Sequence, residues 1–210
     1  ADNRPETVGP PLPGVEVRLG ANSELLVRGA NVMSGYWHNP DAGATVIDKE
    51  GWLHSGDQAR IAASGHITIT GRLKEIIVLA NGEKVAPAEI EMAINSDRLF
   101  EQSLVVGEGR PYLAALLVLN DREWLKLAGS LGVDAARGEL LASDQVEQAL
   151  LERLTPKLAQ FPGYARIRRV HAGLTPWKVR DGLLTATLKL RRQQLLERYA
   201  QEIEKLYAGH

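Results

Sequence analysis

Gly71-Arg72-Leu73-Lys74-Glu75-Ile76-Ile77-Val78 is the stretch on which the reading of this chain turns. It sets two cations, Arg72 and Lys74, at the joint between two different textures of sequence. Upstream, turns dominate. Val15-Glu16-Val17-Arg18-Leu19 alternates apolar and polar residues as a half-buried strand does. Glu24-Leu25-Leu26-Val27-Arg28-Gly29 is a second short run closed by glycine, and Ile61 with His66-Ile67-Thr68-Ile69-Thr70 suits a hairpin through Ala63-Ser64-Gly65. Between Gly35 and Gly51 stand the Tyr36-Trp37 pair, the turn signal Asn39-Pro40-Asp41 and a short amphipathic piece from Thr45 to Lys49. With so few long apolar runs, this part buries a complete core only with difficulty.

Downstream the runs lengthen. Ile76-Ile77-Val78-Leu79 suits a short buried strand, and Asn81-Gly82 predicts a hairpin closed by a type I′ turn. Pro87 opens a helix with Glu89 and Glu91 in its early turns and Ile90, Ala93 and Ile94 on its apolar face. Ser103 to Val106 and Tyr112 to Leu119 read as strands buried on both faces. Asn120 with Glu123 marks a helix start, with Gly129 as its end. Ser143 begins a longer helix with Val146, Leu150, Leu154 and Leu158 in register and a kink expected at Pro156. Ile167 to Val170 adds a strand. The last helix is predicted from about Leu188 to Tyr207, with Leu195, Leu196, Tyr199, Ile203 and Leu206 facing the core. The fold class is therefore α+β, a β-rich segment over residues 1–72 followed by a compact α+β domain over residues 73–210.

Composition bounds the function. The 210 residues are 44% hydrophobic and 24% charged, with a formal charge of −1, which gives no general pull toward nucleic acid. The absence of cysteine excludes disulfides and thiolate metal sites. No apolar run approaches the roughly 20 residues that span a bilayer, and no signal-peptide pattern opens the chain. Residue 1 is alanine, and residues 1–14 hold four prolines (Pro5, Pro10, Pro11 and Pro13), so the expectation is a piece of something longer. The five histidines lack metal-ligand spacing, and no metal site is assigned. Arg166, Arg168, Arg169, Lys178 and Arg180 read as a solvated face, since only Tyr164 and Trp177 interleave them.

Three groups could carry chemistry. Gly56-Asp57 at a strand-end turn presents a carboxylate able to accept two ribose hydroxyls, although Asp and Gly are common in turns for backbone reasons alone. Arg72 offers a planar fork of donors suited to phosphate or ribose oxygens, against the plainer reading of linker surface charge. If Thr185 or Thr187 caps the last helix, Lys189 falls at its first turn and forms an anion-docking point. The alternative is a lysine reaching to water beside Arg191 and Arg192.

Taken together, the segments resemble the C-terminal part of an acyl-CoA synthetase of the AMP-binding, adenylate-forming superfamily, in its long-chain fatty-acid–CoA ligase branch. Glu24 to Gly29 with Gly35-Tyr36, Gly51-Trp52-Leu53-His54-Ser55-Gly56-Asp57, and Gly71 to Ile77 resemble successive family motifs. Asn81-Gly82-Glu83-Lys84-Val85-Ala86-Pro87-Ala88-Glu89-Ile90-Glu91 resembles the loop and helix after the hinge. Val105 to Leu116 and Gly182 to Lys189 are similar to the long-chain branch in particular. The resemblance implies that residues 1–72 are a β-rich remnant of the large N-terminal domain and residues 73–210 the C-terminal cap domain. It implies that Asp57 and Arg72 bind ATP or AMP, that Lys74 is the hinge, that Gly82 lies in the loop lining the CoA channel, and that Lys189 is the catalytic lysine. The family's phosphate loop, adenine motif and fatty-acid tunnel have no counterpart here, so this chain alone is expected to be inactive. ATP, Mg²⁺ held mainly by residues outside this chain, and CoA as co-substrate are the implied small molecules. The resemblance further implies fatty-acid, ATP and CoA substrates, no nucleic acid, and a cytoplasmic location with room for peripheral membrane contact and self-association. The competing readings are a stand-alone CoA- or protein-binding module and part of a carrier-protein-loading adenylation enzyme.

Overall fold

In a computed structural model, which describes residues 4–136 and 138–209, the alternating run Val15–Leu19 forms strand β1 and Glu24–Gly29 forms β2. Leu53–Ile61 is β3 and Ile67–Arg72 is β4. The opening Ala1-Asp2-Asn3 lies outside the described residues. The chain divides into two compact units, Ala1–Ile76 and Ile77–His210.

In the first unit β1 to β4 make an antiparallel sheet in sequence order. Period-2 geometry puts Leu25, Ala59 and Ile67 on one face with Val17, Val27 and Ile61 packed around them. Trp52 is buried with the guanidinium groups of Arg18 and Arg28 stacked at 4.3 and 4.4 Å from its ring centroid. The Ala63-Ser64-Gly65 hairpin forms as expected, with Ala62 N–H donating to His66 O. The proline-rich start runs along β4, where Val8 N–H donates to Ile67 O and Ile67 N–H to Gly9 O. The amphipathic piece expected from Thr45 to Lys49 is instead helix α1, Pro40–Val46. It starts earlier because Asn39 caps it by accepting from Ala42 N–H, with proline at the first turn.

The second unit opens with the hairpin of β5 (Ile77–Val78) and β6 (Lys84–Val85), then helix α2 (Pro87–Asn95). Strands β7 (Phe100–Val106) and β8 (Leu113–Leu119) follow, antiparallel to each other. Helices α3 (Asp121–Leu131) and α4 (Asp144–Lys157) carry the chain over to β9 (Ile167–Gly173), which pairs parallel with β8. Two helices, α5 (Arg192–Arg198) and α6 (Ala200–Tyr207), end the unit. Every residue of β8 is buried, and alternation divides them between two cores. Leu113, Ala115, Leu117 and Leu119 pack with Ile90, Ile94, Trp124, Val146, Leu150 and Leu154. Ala114, Leu116 and Val118 pack with Trp177, Leu183, Leu195 and Leu206. A sheet covered by helices on both faces is what the near-continuous apolar strands predicted.

Several boundaries differ from the sequence reading, each for a local reason. Gly129 does not end α3; the helix runs on to a Gly132 cap at φ +68, where a left-handed residue closes the last turn. Pro156 does not kink α4 midway but sits in its last turn, one residue before the end at Lys157. The last helix begins at Arg192 and breaks at Tyr199, and Leu196, expected in the core, is 43% exposed. Asn81-Gly82 is not a type I′ turn. Gly82 alone takes a positive φ (+84), with its N–H donating to Leu79 O and Leu79 N–H donating to Glu83 O. That is a three-residue loop, a type I turn followed by a left-handed glycine. Of the expected solvated basic face, Arg169 is engaged, donating from Nε to Glu147 Oε1 at 2.8 Å.

Asp97 joins the end of α2 to α4 through a two-pronged bond from Arg153, Nε to Oδ2 and Nη2 to Oδ1, both 2.9 Å. Burial pushes the Asp97 carboxyl up, but the Arg153 bond, the Leu99 N–H and the nearby Lys157 outweigh it and hold the carboxyl below its usual value. A lowered folded value means that the stabilisation is present above the unfolded aspartate value of about 3.9 and disappears as pH falls through the folded one. Asp97→Asn is expected to lower the urea midpoint at pH 7 and to flatten its fall below about pH 4. Parallel acid limbs in the two proteins would remove this role.

Candidate nucleotide and lysine sites

The candidate carboxylate does not sit on a strand-end turn. Asp57 lies inside β3, directly opposite Arg72 of β4. The geometry arises from a bulge: Glu24 pairs with Gln58 and Leu26 with His54, so Leu25 alone faces Ser55, Gly56 and Asp57. Gly56 takes φ +71, a left-handed conformation that costs a side-chain-bearing residue energy. The bulge turns Asp57 so that its Oδ1 meets Arg72 Nε at 3.0 Å. The Asp57 side chain is 28% exposed and that of Arg72 61%. An ion pair this open contributes at most about 1 kcal/mol, so a ligand can exchange into it at little cost.

The support for the bulge was not legible in the sequence. Glu24 accepts from Gly56 N–H on Oε1 at 3.0 Å and from His54 Nδ1 on Oε2 at 2.8 Å. Asp57 N–H donates to Ser55 Oγ at 3.1 Å. Glu24 lies thirty-two residues from Gly56, and only the β2–β3 pairing brings them together. The upstream turn is held by Asp48, which accepts from Trp52 N–H and Glu50 N–H, both at 2.9 Å. The Trp52 bond leads the causes that keep the Asp48 carboxyl below its usual range.

Lys74 lies exposed in the single 3-10 turn Leu73–Glu75 between β4 and β5, where Ile76 N–H reaches Leu73 O at 3.4 Å. Gly82 is the exposed tip of the β5–β6 hairpin. Lys189 is placed differently from the sequence reading. It belongs to a hairpin, not to a helix start, because α5 begins only at Arg192. Leu184 pairs with Leu190, Thr185 N–H donates to Lys189 O at 2.8 Å, and Arg191 N–H donates to Leu183 O at 2.9 Å. Thr185 does cap, but it caps this turn, its Oγ1 accepting from Lys189 N–H at 3.1 Å. The anion site built from a helix dipole is therefore withdrawn. What remains is an exposed ammonium, on a tight turn whose Leu188 holds φ +62.

Asp57 and Arg72 thus come together in the first unit, while Gly82 and Lys189 occupy two separate hairpins of the second. Among the described residues no group of three or more His, Cys, Asp or Glu could hold a metal ion. No described helix is long and apolar enough to cross a membrane.

Residues 74–210 match the family of AMP-binding enzyme C-terminal domains. The long-chain-fatty-acid–CoA ligase FadD15 of Mycobacterium tuberculosis is 36% identical over 204 residues, 96% of this chain and 34% of its own length. The long-chain-fatty-acid–CoA ligase 5 of Rattus norvegicus is 33% identical over 187 residues, 88% of this chain and 27% of its own. The chain thus spans about a third of the length of the curated relatives it matches. Among solved structures, the A domain of carboxylic acid reductase from Segniliparus rugosus, in complex with AMP and a co-purified carboxylic acid, aligns with a TM-score of 0.75 at 26% identity. It covers 95% of this chain and 32% of that one. The adenylation domain of a carboxylate reductase from Mycobacterium chelonae gives 0.75 at 27% identity, covering 95% and 31%.

Substituting the bulge glycine tests its geometry. A Cβ at Gly56 meets nothing within 4 Å, so any cost is backbone strain rather than crowding. Gly56→Ala is expected to destabilise the first unit by about 1 kcal/mol, and Gly56→Asn by less because asparagine tolerates this conformation. Urea unfolding followed by hydrogen exchange of the β3 amides reads the difference, and equal midpoints for all three proteins would exclude a strained bulge.

Proposed function

Because the chain belongs to the family of AMP-binding enzyme C-terminal domains, we propose that it is a part, including that domain, of an ATP-dependent long-chain fatty-acid–CoA ligase. In the first half-reaction a carboxylate oxygen of the fatty acid attacks the α-phosphorus of ATP, forming acyl-AMP as the bond to pyrophosphate breaks. In the second the CoA sulfur attacks the acyl carbon, and AMP leaves with the electron pair while the thiol proton goes to solvent. The single observation that carries the reading is the Asp57–Arg72 pair, a carboxylate and a guanidinium opposed on neighbouring strands. Its acceptor oxygens suit ribose hydroxyls, and its fork suits phosphate oxygens.

Lys189 answers a specific electrostatic problem. Two unit charges 4 Å apart repel by about 4 kcal/mol at an effective dielectric near 20, and a carboxylate approaching a triphosphate meets more than one charge. An ammonium between them removes that barrier in the first half-reaction only. In the second, a thiol needs the same approach. A pivot at Lys74 would let the unit carrying Lys189 turn, withdrawing the cation and presenting the Gly82 hairpin to CoA. Support for the pivot comes from the division of the fold just after Ile76, with a single short turn at residues 73–75 leading into it. The likeness to adenylation domains of carboxylic acid reductases supports a second reading, in which the acyl-adenylate passes to another acceptor. Supplying CoA as the thiol separates the two, since only the first reading yields acyl-CoA.

In the full-length enzyme, Lys189→Ala is expected to slow acyl-adenylate formation by about two to three powers of ten and to spare thiolysis of supplied acyl-adenylate. Equal losses in both half-reactions would count against the assignment. Lys74→Pro is expected to impair the second half-reaction more than the first. Unaltered rates for both would remove the pivot.

A further inference from the structure

The second unit contains a largely buried ion pair to which the proposed chemistry gives no part. Glu91 of α2 is 8% exposed, and its carboxylate takes Arg192 Nη1 on Oε1 at 2.8 Å and on Oε2 at 3.0 Å. Glu91 Oε1 also accepts from Val105 N–H at 2.8 Å, while Arg192 Nη2 donates to Val105 O at 2.9 Å. Strand β7 is the edge of its sheet, so the backbone groups of Val105 that face away from β8 would otherwise lack partners. The pair closes both. Its two members are 101 residues apart in sequence.

Their positions give the pair a second consequence. Arg192 follows Lys189 by three residues, and Arg191 N–H closes the base of the Lys189 hairpin on Leu183 O. The exposed turn of that hairpin is held locally by Thr185 Oγ1 and carries a strained Leu188. A short strained hairpin with an exposed tip would sample several directions unless its base were fixed. The base is fixed here by a guanidinium that reaches the carboxylate from Nη1 and the carbonyl from Nη2, two nitrogens held rigidly apart where lysine has one.

We infer that Glu91 and Arg192, with the Thr185 hydroxyl, are positioning residues that hold the Lys189 hairpin in one orientation, an inference that rests on the role of Lys189 proposed above. The cation then moves only with the whole second unit and not by loop rearrangement. Glu91 sits on the helix that follows the Gly82 hairpin, so the same pair braces both loops against one sheet edge.

The test has two arms. Hydrogen exchange on the 210-residue chain reads the hairpin directly. Glu91→Gln and Arg192→Lys are each expected to speed exchange of the Lys189 and Arg191 amides by about tenfold or more beyond whatever rise the β8 amides show, since those core amides report the stability of the unit as a whole. Thr185→Val, a turn substitution that leaves the buried pair intact, is expected to speed Lys189 alone, with Thr185→Ser restoring protection. In the full-length enzyme, Glu91→Gln is expected to lower kcat for acyl-adenylate formation by about ten- to a hundredfold, with KM for ATP and thiolysis of supplied acyl-adenylate within about twofold of wild type. Unchanged hairpin exchange, a uniform rise across the second unit, or equal loss in both half-reactions overturns the inference. So does an unmoved Lys189 amide in Thr185→Val should the buried variants not fold. Lys189→Ala run alongside separates the two claims: if it does not single out adenylation, the functional reading fails, and the exchange data still decide whether the pair holds the hairpin.

Discussion

Strand β8 is withdrawn from water on both faces, and the second unit is built around that constraint. A strand so buried must have its backbone paired on both sides and its side chains covered above and below. Its antiparallel neighbour β7 needs only a short turn, but the parallel β9 requires a crossover long enough to traverse the sheet. Helices α3 and α4 supply it and cover one face, together with α2. The other face is left to the C-terminal segment, whose Leu183, Leu195 and Leu206 fill it. One layer therefore follows from the Gly82 hairpin, and the other carries the Lys189 hairpin.

The charged groups of the two units divide by burial, and burial decides what each can do. Glu91 and Arg192 keep only 11% and 17% of their side-chain surface exposed and are each bonded to Val105 as well as to one another, so the pair fixes geometry. Asp57 and Arg72 are too exposed to stabilise much, and their oxygens and N–H groups remain accessible. The first unit accordingly places its bulge with neighbours other than the pair itself: Glu24 for the Gly56 backbone, Ser55 for that of Asp57, and Asp48 for the turn before them. Support for the bulge is thus separated from the exposed pair.

The sequence by itself determined the elements whose signals are local. Val15–Leu19 and Glu24–Gly29 became strands with the expected bounds, Asn120 and Ser143 cap the helices they announce, and Val146, Leu150, Leu154 and Leu158 all face the core. Period and capping are properties of a few adjacent residues, so a single chain displays them. The candidate residues Asp57, Arg72, Lys74, Gly82 and Lys189 could be named from motifs alone, because a motif fixes identity and order; their roles belong to the proposal.

Tertiary structure alone decided their setting. Asp57 looked like a turn residue because Gly56 follows the grammar of turns, and only the register of β3 against β2 and β4 made it a bulge facing Arg72. Lys189 looked like a helix start because Thr185 is a good cap, and the pairing of Leu184 with Leu190 gave that threonine a different N–H to accept from. Glu91 read as one more early-helix acid, yet it is buried against a residue at the far end of the chain. In each case the deciding bond joins segments that no local pattern relates. Its energy depends on which backbone groups the fold has already left unpaired.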